Sequence, residues 1–162
     1  MEIKILKDIL DANKEVANDV KEILTKNKVY MINVLSSPGS GKTTLINNLI
    51  EEMKGEFNIA VIEGDIKTTK DAERLSVHNI PIIQIETERF GGDCHLESSW
   101  IKTCLLDLDL ENIDFVIVEN VGNLVCPAEF EIGEDERFVL LSTTEGEDKP
   151  VKYPLAFNTS QT

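Results

Sequence analysis

Near the start of the chain, apolar residues recur with a helical period. Between Lys7 and Lys26 they are spaced by one, three, four and seven positions, with charged residues between them. This spacing predicts an amphipathic helix. Its apolar stripe is modest and could cover a partner, but we expect it to pack on its own domain. Residues 1–28 are therefore predicted to form an N-terminal helical segment.

After Asn27 the pattern changes to strands that alternate with helices. Residues 29–35 are a nearly continuous apolar run, as expected for a strand buried on both faces. The apolar positions between Lys42 and Met53 lie on one helical face. Further strands are predicted at 58–62, 81–85, 115–118 and 138–141, and further helices before His78 and over 96–110. The alternation implies βαβ units, and hence an α/β fold with a mainly parallel sheet between two layers of helices.

The composition narrows the class of protein. The 162 residues allow one globular domain, and 16 Lys and Arg against 30 Asp and Glu give a formal net charge of −14. So acidic a chain argues against binding to nucleic acid or to anionic membranes. Because no apolar run is long enough for a leader or a membrane span, we expect a cytoplasmic protein. Its three cysteines are an odd number and too few for a disulfide framework, so we expect reduced thiols, some of them in a metal site.

A Gly- and Ser-rich segment, 36–43, lies between the first buried strand and the first long helix, where a phosphate-binding loop belongs. Gly39 and Gly41 allow the backbone to turn its N–H groups toward phosphate oxygens, and the helix start adds positive potential. Ser36 replaces the first Gly of the general pattern, and its side chain is small enough to fit. We therefore predict a P-loop nucleotide-binding domain over 29–157, followed by a frayed polar tail at 158–162.

The side chains at the end of this loop carry the expected chemistry. Lys42 would reach the β- and γ-phosphates, and the Thr43 hydroxyl would ligate Mg²⁺. The predicted nucleotide-binding residues are Gly39, Ser40, Gly41, Lys42, Thr43, Thr44 and, from a later loop, Gly122.

Acidic residues at two strand ends are candidates to complete the magnesium site. The segment Glu63-Gly64-Asp65 follows the second strand and Glu119 follows the fourth, and the carboxyl ends of parallel strands line the ligand crevice. With Lys42, Asp65 and Glu119 are our predicted catalytic residues. Glu119 also begins an acid-x-x-Gly segment, in which Gly122 would sense the γ-phosphate. No water-positioning Gln follows Gly122, so we expect slow intrinsic hydrolysis that depends on dimerisation or a partner.

For Asp65 a simpler interpretation stays open. With Thr68 and Thr69 it could form a second switch, but an acidic residue at a loop tip is often only solvated or caps the next helix.

Cys94, His95 and Cys126 form a second candidate site. Thiolate and imidazole are ligands for Zn²⁺ and Ni²⁺, but three groups do not complete a tetrahedral site, which a second, two-fold related chain could do. The alternative is that the cysteines act as small hydrophobes and that the histidine is a surface group. We expect Cys104 to lie in the core, and His78, near a helix end, to have a capping or surface role.

Several motifs together resemble the hydrogenase-maturation nickel-insertion GTPase family, HypB. The resemblance covers roughly residues 20–157, and the most specific segment is 118–128. The matching segments are 36–44, 61–66 with 71–74, 94–96, 118–128 and 144–150.

The resemblance implies a SIMIBI-type GTPase that binds GTP or GDP with Mg²⁺. It implies that Lys42 and Thr43 hold phosphate and Mg²⁺, with Asp65 and Glu119 in the magnesium and switch region. It also implies that Cys94, His95 and Cys126 bind Ni²⁺ or Zn²⁺ at a dimer interface. The homodimer would depend on nucleotide. Its partners would be other hydrogenase maturation proteins, among them a nickel-handling accessory protein and the large subunit of [NiFe]-hydrogenase.

Two departures from the family pattern affect these expectations. The residues from Met1 to Tyr30 contain no Cys or His for additional nickel, and no Asn-Lys-x-Asp segment for guanine recognition is present. The sequence therefore looks like a family member that lacks its C-terminal part. Two alternatives follow: a metal-binding scaffold with little nucleotide turnover, and an ATP-using P-loop enzyme such as a small-molecule kinase, in which the Cys and His residues would have no role.

Overall fold

A computed structural model describes residues 2–65, 70–90 and 94–162. The helices are α1 (Glu2–Asn27), α2 (Lys42–Met53), α3 (Lys70–Leu75), α4 (Ser98–Asp107), α5 (Cys126–Glu129), α6 (Lys149–Lys152) and α7 (Pro154–Asn158). The strands are β1 (Tyr30–Ser36), β2 (Ile59–Asp65), β3 (Ile82–Glu86), β4 (Phe115–Glu119) and β5 (Glu136–Leu140). Short 3₁₀ turns occupy 76–78, 87–90 and 110–112.

All five strands pair in parallel, in the order β3-β2-β4-β1-β5. The central strands β1, β2 and β4 are buried along most of their length, as their continuous apolar sequences predict. Because the sheet is parallel, the carboxyl ends of β1, β2 and β4 meet at one edge. This edge carries the phosphate-loop segment, Asp65 and Glu119.

The core occupies both faces of the sheet, which confirms the predicted arrangement of layers. On one face β2 and β4 pack against α1 and α4, with the partly buried Trp100 at the margin. On the other face β1 and β2 pack against α2 and α3. Val20 and Leu24 of α1 are fully buried, so the N-terminal helix packs on its own domain, as expected. Cys104 also lies in the core, as predicted.

The end of the chain differs from the frayed tail that its polar sequence suggested. The backbone N–H of Gln161 donates to the carbonyl of Arg137 at 3.0 Å, and the N–H of Val139 donates to the carbonyl of Thr162 at 2.8 Å. The physical reason is that the edge of β5 offers backbone partners. Backbone pairing of this kind leaves no signal in side-chain polarity.

His78 lies at the end of the 3₁₀ turn 76–78, near a helix end as predicted, but it is buried rather than at the surface. Its side chain is only 2% exposed and its Nδ1 lies 2.9 Å from Glu51 Oε1, while Nε2 lies 2.8 Å from Asn47 Oδ1. The imidazole therefore connects the turn after α3 to α2.

None of the helices in the part of the chain that the structure describes is long and apolar enough to cross a membrane.

Candidate nucleotide and metal sites

The loop after β1 has the backbone of a phosphate-binding loop. Gly39 and Gly41 both have left-handed φ values, of 75° and 97°, which L side chains rarely adopt. Gly41 directly precedes α2, and the Ser40 hydroxyl donates to the carbonyl of Ser37 at 2.7 Å. The two glycines therefore curve the chain into the start of α2, where N–H groups can face an anion.

The amine of Lys42 is held inside this loop. Lys42 is buried, and its Nζ donates to Ser36 Oγ at 3.0 Å. Ser36, the departure from the general loop pattern, thus provides the lysine with an acceptor. Burial lowers the pKa of Lys42, while the carboxylates of Glu119, Asp71, Glu63 and Asp65 act in the opposite direction.

Thr43 and Glu119 lie in direct contact. The Thr43 hydroxyl donates to Glu119 Oε1 at 2.8 Å, and Glu119 is 3% exposed. Burial raises the pKa of Glu119, although the hydrogen bond from Thr43 and the charge of Lys42 lower it. Among the described residues, no group donates a hydrogen bond to Glu119 Oε2. A hydroxyl beside a buried carboxylate with a spare oxygen is a hard-oxygen donor set that fits Mg²⁺.

The other predicted residues of this site lie around the same edge. Asp65 ends β2, and its charge acts on Lys42. Thr44 is exposed in the first turn of α2. Thr68 and Thr69, the proposed companions of Asp65, fall outside the described residues.

Gly122 brings the loop after β4 onto the phosphate loop. A Cβ atom at Gly122 would lie 3.0 Å from Pro38 Cα, so the backbones are too close for a side chain. The loop after β4 and the phosphate loop therefore approach each other closely at this point.

Sequence reasoning did not select Glu63. It stands in the candidate segment Glu63-Gly64-Asp65, of which only Asp65 is among the predicted site residues. Glu63 is 1% exposed within β2, and burial, followed by the charge of Glu119, raises its pKa to about 8. The available signal was a carboxylate that directly follows four apolar strand residues.

Cys94, His95 and Cys126 come together although they are distant in the sequence. One possible ligand atom from each residue lies within 4.8 Å of the other two, and all three residues are partly buried. Burial, followed by the hydrogen bond and charge of Cys94, raises the pKa of Cys126 to about 11. Two thiols and an imidazole at this separation fit one thiophilic ion such as Zn²⁺ or Ni²⁺.

Packing holds this Cys/His cluster in place. The His95 ring stacks on Phe130 with centroids 3.8 Å apart. Leu96 is fully buried against β2, where a Cβ atom at Gly64 would lie 2.8 Å from a Leu96 methyl carbon. Asn123 Oδ1 accepts from the N–H groups of Val125 at 2.7 Å and Cys126 at 3.3 Å, so it fixes the start of α5.

A polar network links the residue after Glu119 to α5. Asn120 Nδ2 donates to Asn33 Oδ1 at 3.1 Å, and Asn33 Nδ2 donates to Glu134 Oε1 at 3.2 Å. Arg137 donates to the same Glu134 oxygen at 2.8 Å and to the carbonyl of Ala128 at 2.9 Å. A chain of hydrogen bonds therefore connects the end of β4 to α5. The groups in this chain are largely buried, where hydrogen bonds are stronger than in water.

A parallel sheet with a Gly-Lys-Thr loop between β1 and α2 and an acid at the end of the neighbouring strand defines a P-loop nucleoside-triphosphatase fold of the SIMIBI type. The chain belongs to the CobW/HypB/UreG nucleotide-binding domain family, which matches residues 30–143. Within that family it belongs with the HypB proteins, so the resemblance in its motifs is confirmed.

Three comparisons place the chain. It is 45% identical over 159 residues to the hydrogenase/urease maturation factor HypB of Helicobacter hepaticus, covering 96% of this chain and 64% of that protein. The crystal structure of Helicobacter pylori HypB in complex with nickel superposes with a TM-score of 0.84 at 43% identity, covering 92% of this chain and 69% of that one. The signal recognition particle receptor FtsY of Elizabethkingia anophelis shares the fold, with a TM-score of 0.59 at 18% identity over 93% of this chain and 55% of that one. The chain thus spans between half and two thirds of the length of the curated HypB relatives it matches.

Proposed function

We propose that this chain is the nucleotide-binding and metal-binding part of a GTP-hydrolysing metallochaperone that assists nickel insertion into [NiFe]-hydrogenase. One observation carries the proposal: the segment from Glu119 to Cys126 begins at the candidate magnesium site and ends at the Cys/His cluster. A nucleotide-dependent change at one end would therefore reach the other through a short stretch of backbone.

In the proposed nucleotide site, the backbone from Gly39 to Thr44 binds phosphates and Lys42 places its positive charge beside them. Thr43, Asp65 and Glu119 would hold Mg²⁺, which when bound neutralises negative charge on the phosphates. Gly122, already in contact with Pro38, would move toward the γ-phosphate and away after hydrolysis. We expect intrinsic hydrolysis to be slow, because no water-positioning Gln follows Gly122.

In the proposed metal site, Cys94, His95 and Cys126 bind the nickel that is to be delivered, or Zn²⁺ in its place. Three ligands leave a coordination position open, which a second copy of the chain would fill in a nucleotide-dependent homodimer. The remaining partners would be cytoplasmic: a nickel-handling accessory protein and the hydrogenase large subunit. The identity of the HypB relatives as hydrogenase maturation factors supports this assignment.

A second candidate function is a metal-binding scaffold with little nucleotide turnover. It is favoured by the absence of an Asn-Lys-x-Asp segment from these 162 residues. The carboxylate of that motif would accept hydrogen bonds from guanine, and without it the preference for guanine over adenine should be reduced.

Isothermal titration calorimetry with GTP, GDP and ATP, each with and without Ni²⁺ or Zn²⁺, tests the proposal. Wild type should bind guanine nucleotide and metal, Lys42→Ala only metal, and Cys126→Ala only nucleotide. Light scattering should show a larger dimer fraction with GTP than with GDP. Metal binding without nucleotide affinity would establish the scaffold instead, and ATP preference without any effect of metal would favour a kinase-like enzyme.

A further inference from the structure

A buried carboxylate, one of whose oxygens accepts no hydrogen bond from any described residue, lies beside the candidate magnesium site. Glu63 is 1% exposed, and no group in the described residues donates a hydrogen bond to its Oε2. A carboxylate in such surroundings is costly unless a donor or a cation compensates it. Its position therefore suits a ligand that the described residues do not provide.

The pairing of the strands places Glu63 at the level of Glu119. The two residues are register partners in the parallel strands β2 and β4, so their side chains leave the same face of the sheet about 5 Å apart. Glu119 Oε2 also has no hydrogen-bond donor in the described part of the chain. Two carboxylates with unused oxygens thus stand side by side.

The hydrogen bonds of the neighbouring groups indicate which role Glu63 can have. Oε1 of Glu119 is engaged by the Thr43 hydroxyl, and Lys42 Nζ by Ser36 Oγ. Glu63 is one strand further from Thr43 than Glu119 is. An ion held by Thr43 and Glu119 would keep several of its waters, as Mg²⁺ does in most protein sites. The Glu63 carboxylate is placed to accept from one of them.

We propose that Glu63 is a positioning residue of the magnesium site, whose carboxylate accepts a hydrogen bond from a water bound to the ion that Thr43 and Glu119 hold. The inference rests on the proposed nucleotide function and extends it by a second acid. It also explains why the chain retains a charged residue in an otherwise apolar part of β2. Partners of metal-bound groups commonly contribute tenfold or more to metal affinity.

The variant Glu63→Gln tests this role, because it keeps the size of the side chain and removes the charge. We expect GDP binding by Glu63→Gln to require about tenfold more Mg²⁺ than wild type, as measured by calorimetry over a MgCl₂ series. In EDTA, the variant should melt at about the same temperature as wild type, since Gln keeps the size of the side chain and no ion is present for Glu63 to support. Glu52→Gln, an exposed change on α2, is the matched control and should leave both values unchanged.

A structural role would lower the melting temperature and leave the Mg²⁺ requirement untouched, which would overturn the proposal. Glu63→Asp keeps the charge and should restore part of the Mg²⁺ affinity; it also serves if the Gln variant does not fold. If wild type binds no nucleotide, the proposed function fails, and thermal unfolding with MgCl₂ alone then decides the role of Glu63. In that case Mg²⁺ must stabilise wild type more than Glu63→Gln, and equal stabilisation would refute the role.

Discussion

The phosphate loop and the Cys/His cluster are two sites of the same domain that are built in opposite ways. The loop, residues 36–43, is contiguous, and its shape depends on the left-handed backbone at Gly39 and Gly41. The cluster joins Cys94 and His95 to Cys126, and it exists only because separate elements pack together. The first site should therefore fail through local backbone changes, and the second through the packing of distant segments.

The two sites also differ in charge. The phosphate loop buries Lys42 close to Glu119, whose charge acts on the lysine before any ligand binds. The cluster contains Cys126, a thiol whose pKa is raised to about 11 and which is neutral at physiological pH. Binding at the first site replaces existing charge interactions, whereas binding at the second must create charge by releasing protons.

The largest effect is expected from Gly41→Val. A β-branched residue at a φ of 97° is strained by about 1–3 kcal/mol, and relief of this strain would turn the loop amides away from the phosphates. We expect nucleotide affinity to fall about 100-fold, measured by fluorescent-nucleotide titration, with Zn²⁺ binding unchanged. Gly55→Val lies in open space after α2 and is the control. Equal nucleotide affinity in both variants would remove the distinction between the sites.

Cys94→Ala should have the opposite effect: weaker metal binding with unchanged nucleotide binding. Loss of one of three ligands should weaken Zn²⁺ or Ni²⁺ binding at least 10–100-fold, the range found even for groups that only support a ligand, while nucleotide affinity stays within about twofold of wild type. The control Cys104→Ala removes a core thiol outside the cluster and should cost stability but not metal. Competition with a chromophoric chelator measures the metal affinity, and an unchanged value in Cys94→Ala would refute the ligand assignment.

Metal binding at the Cys/His cluster should depend on pH, because it releases a proton from Cys126. Because the raised pKa of Cys126 keeps its thiol protonated below about pH 11, metal binding must displace that proton. Apparent metal affinity should therefore rise about tenfold per pH unit for this group between pH 6 and 8. Metal titrations across that range give the slope, which should decrease by one proton in Cys126→Ala. A slope that is the same in both proteins would contradict the prediction.

The smallest effect is expected from Gly64→Ala. Gly64 lies between the two sites, next to Asp65 in β2 and against Leu96. An added Cβ would press on Leu96, the residue after His95, so we expect destabilisation of about 1–3 kcal/mol. A several-fold weaker metal affinity should accompany it. Urea unfolding and metal competition measure the two effects, with Gly55→Ala as the control. Loss of nucleotide affinity without loss of metal affinity would show that β2 supports the phosphate site alone.

The difference between local and assembled sites also explains which parts of the structure could be predicted from the sequence. The bounds of α2, Lys42–Met53, agree with the prediction because the apolar positions of this segment lie on one helical face directly after the Gly- and Ser-rich turn, a pattern that is local in sequence. The end of β2 was placed at Ile62, but the strand continues to Asp65, because Glu63 is polar in sequence and buried in the fold. Cys94 follows β3 and Cys126 follows β4, so their proximity depends on the sheet order β3-β2-β4, which no local pattern encodes.

The position of Trp100 gives the protein a built-in optical probe. It is the only tryptophan in the sequence, and it lies in the first turn of α4, five residues after His95 and half-buried against the core. Its emission therefore comes from one known location, close to the metal-binding segment and on the same helix as Cys104. Binding kinetics at the Cys/His cluster can be followed in the unlabelled protein by the fluorescence of this single indole.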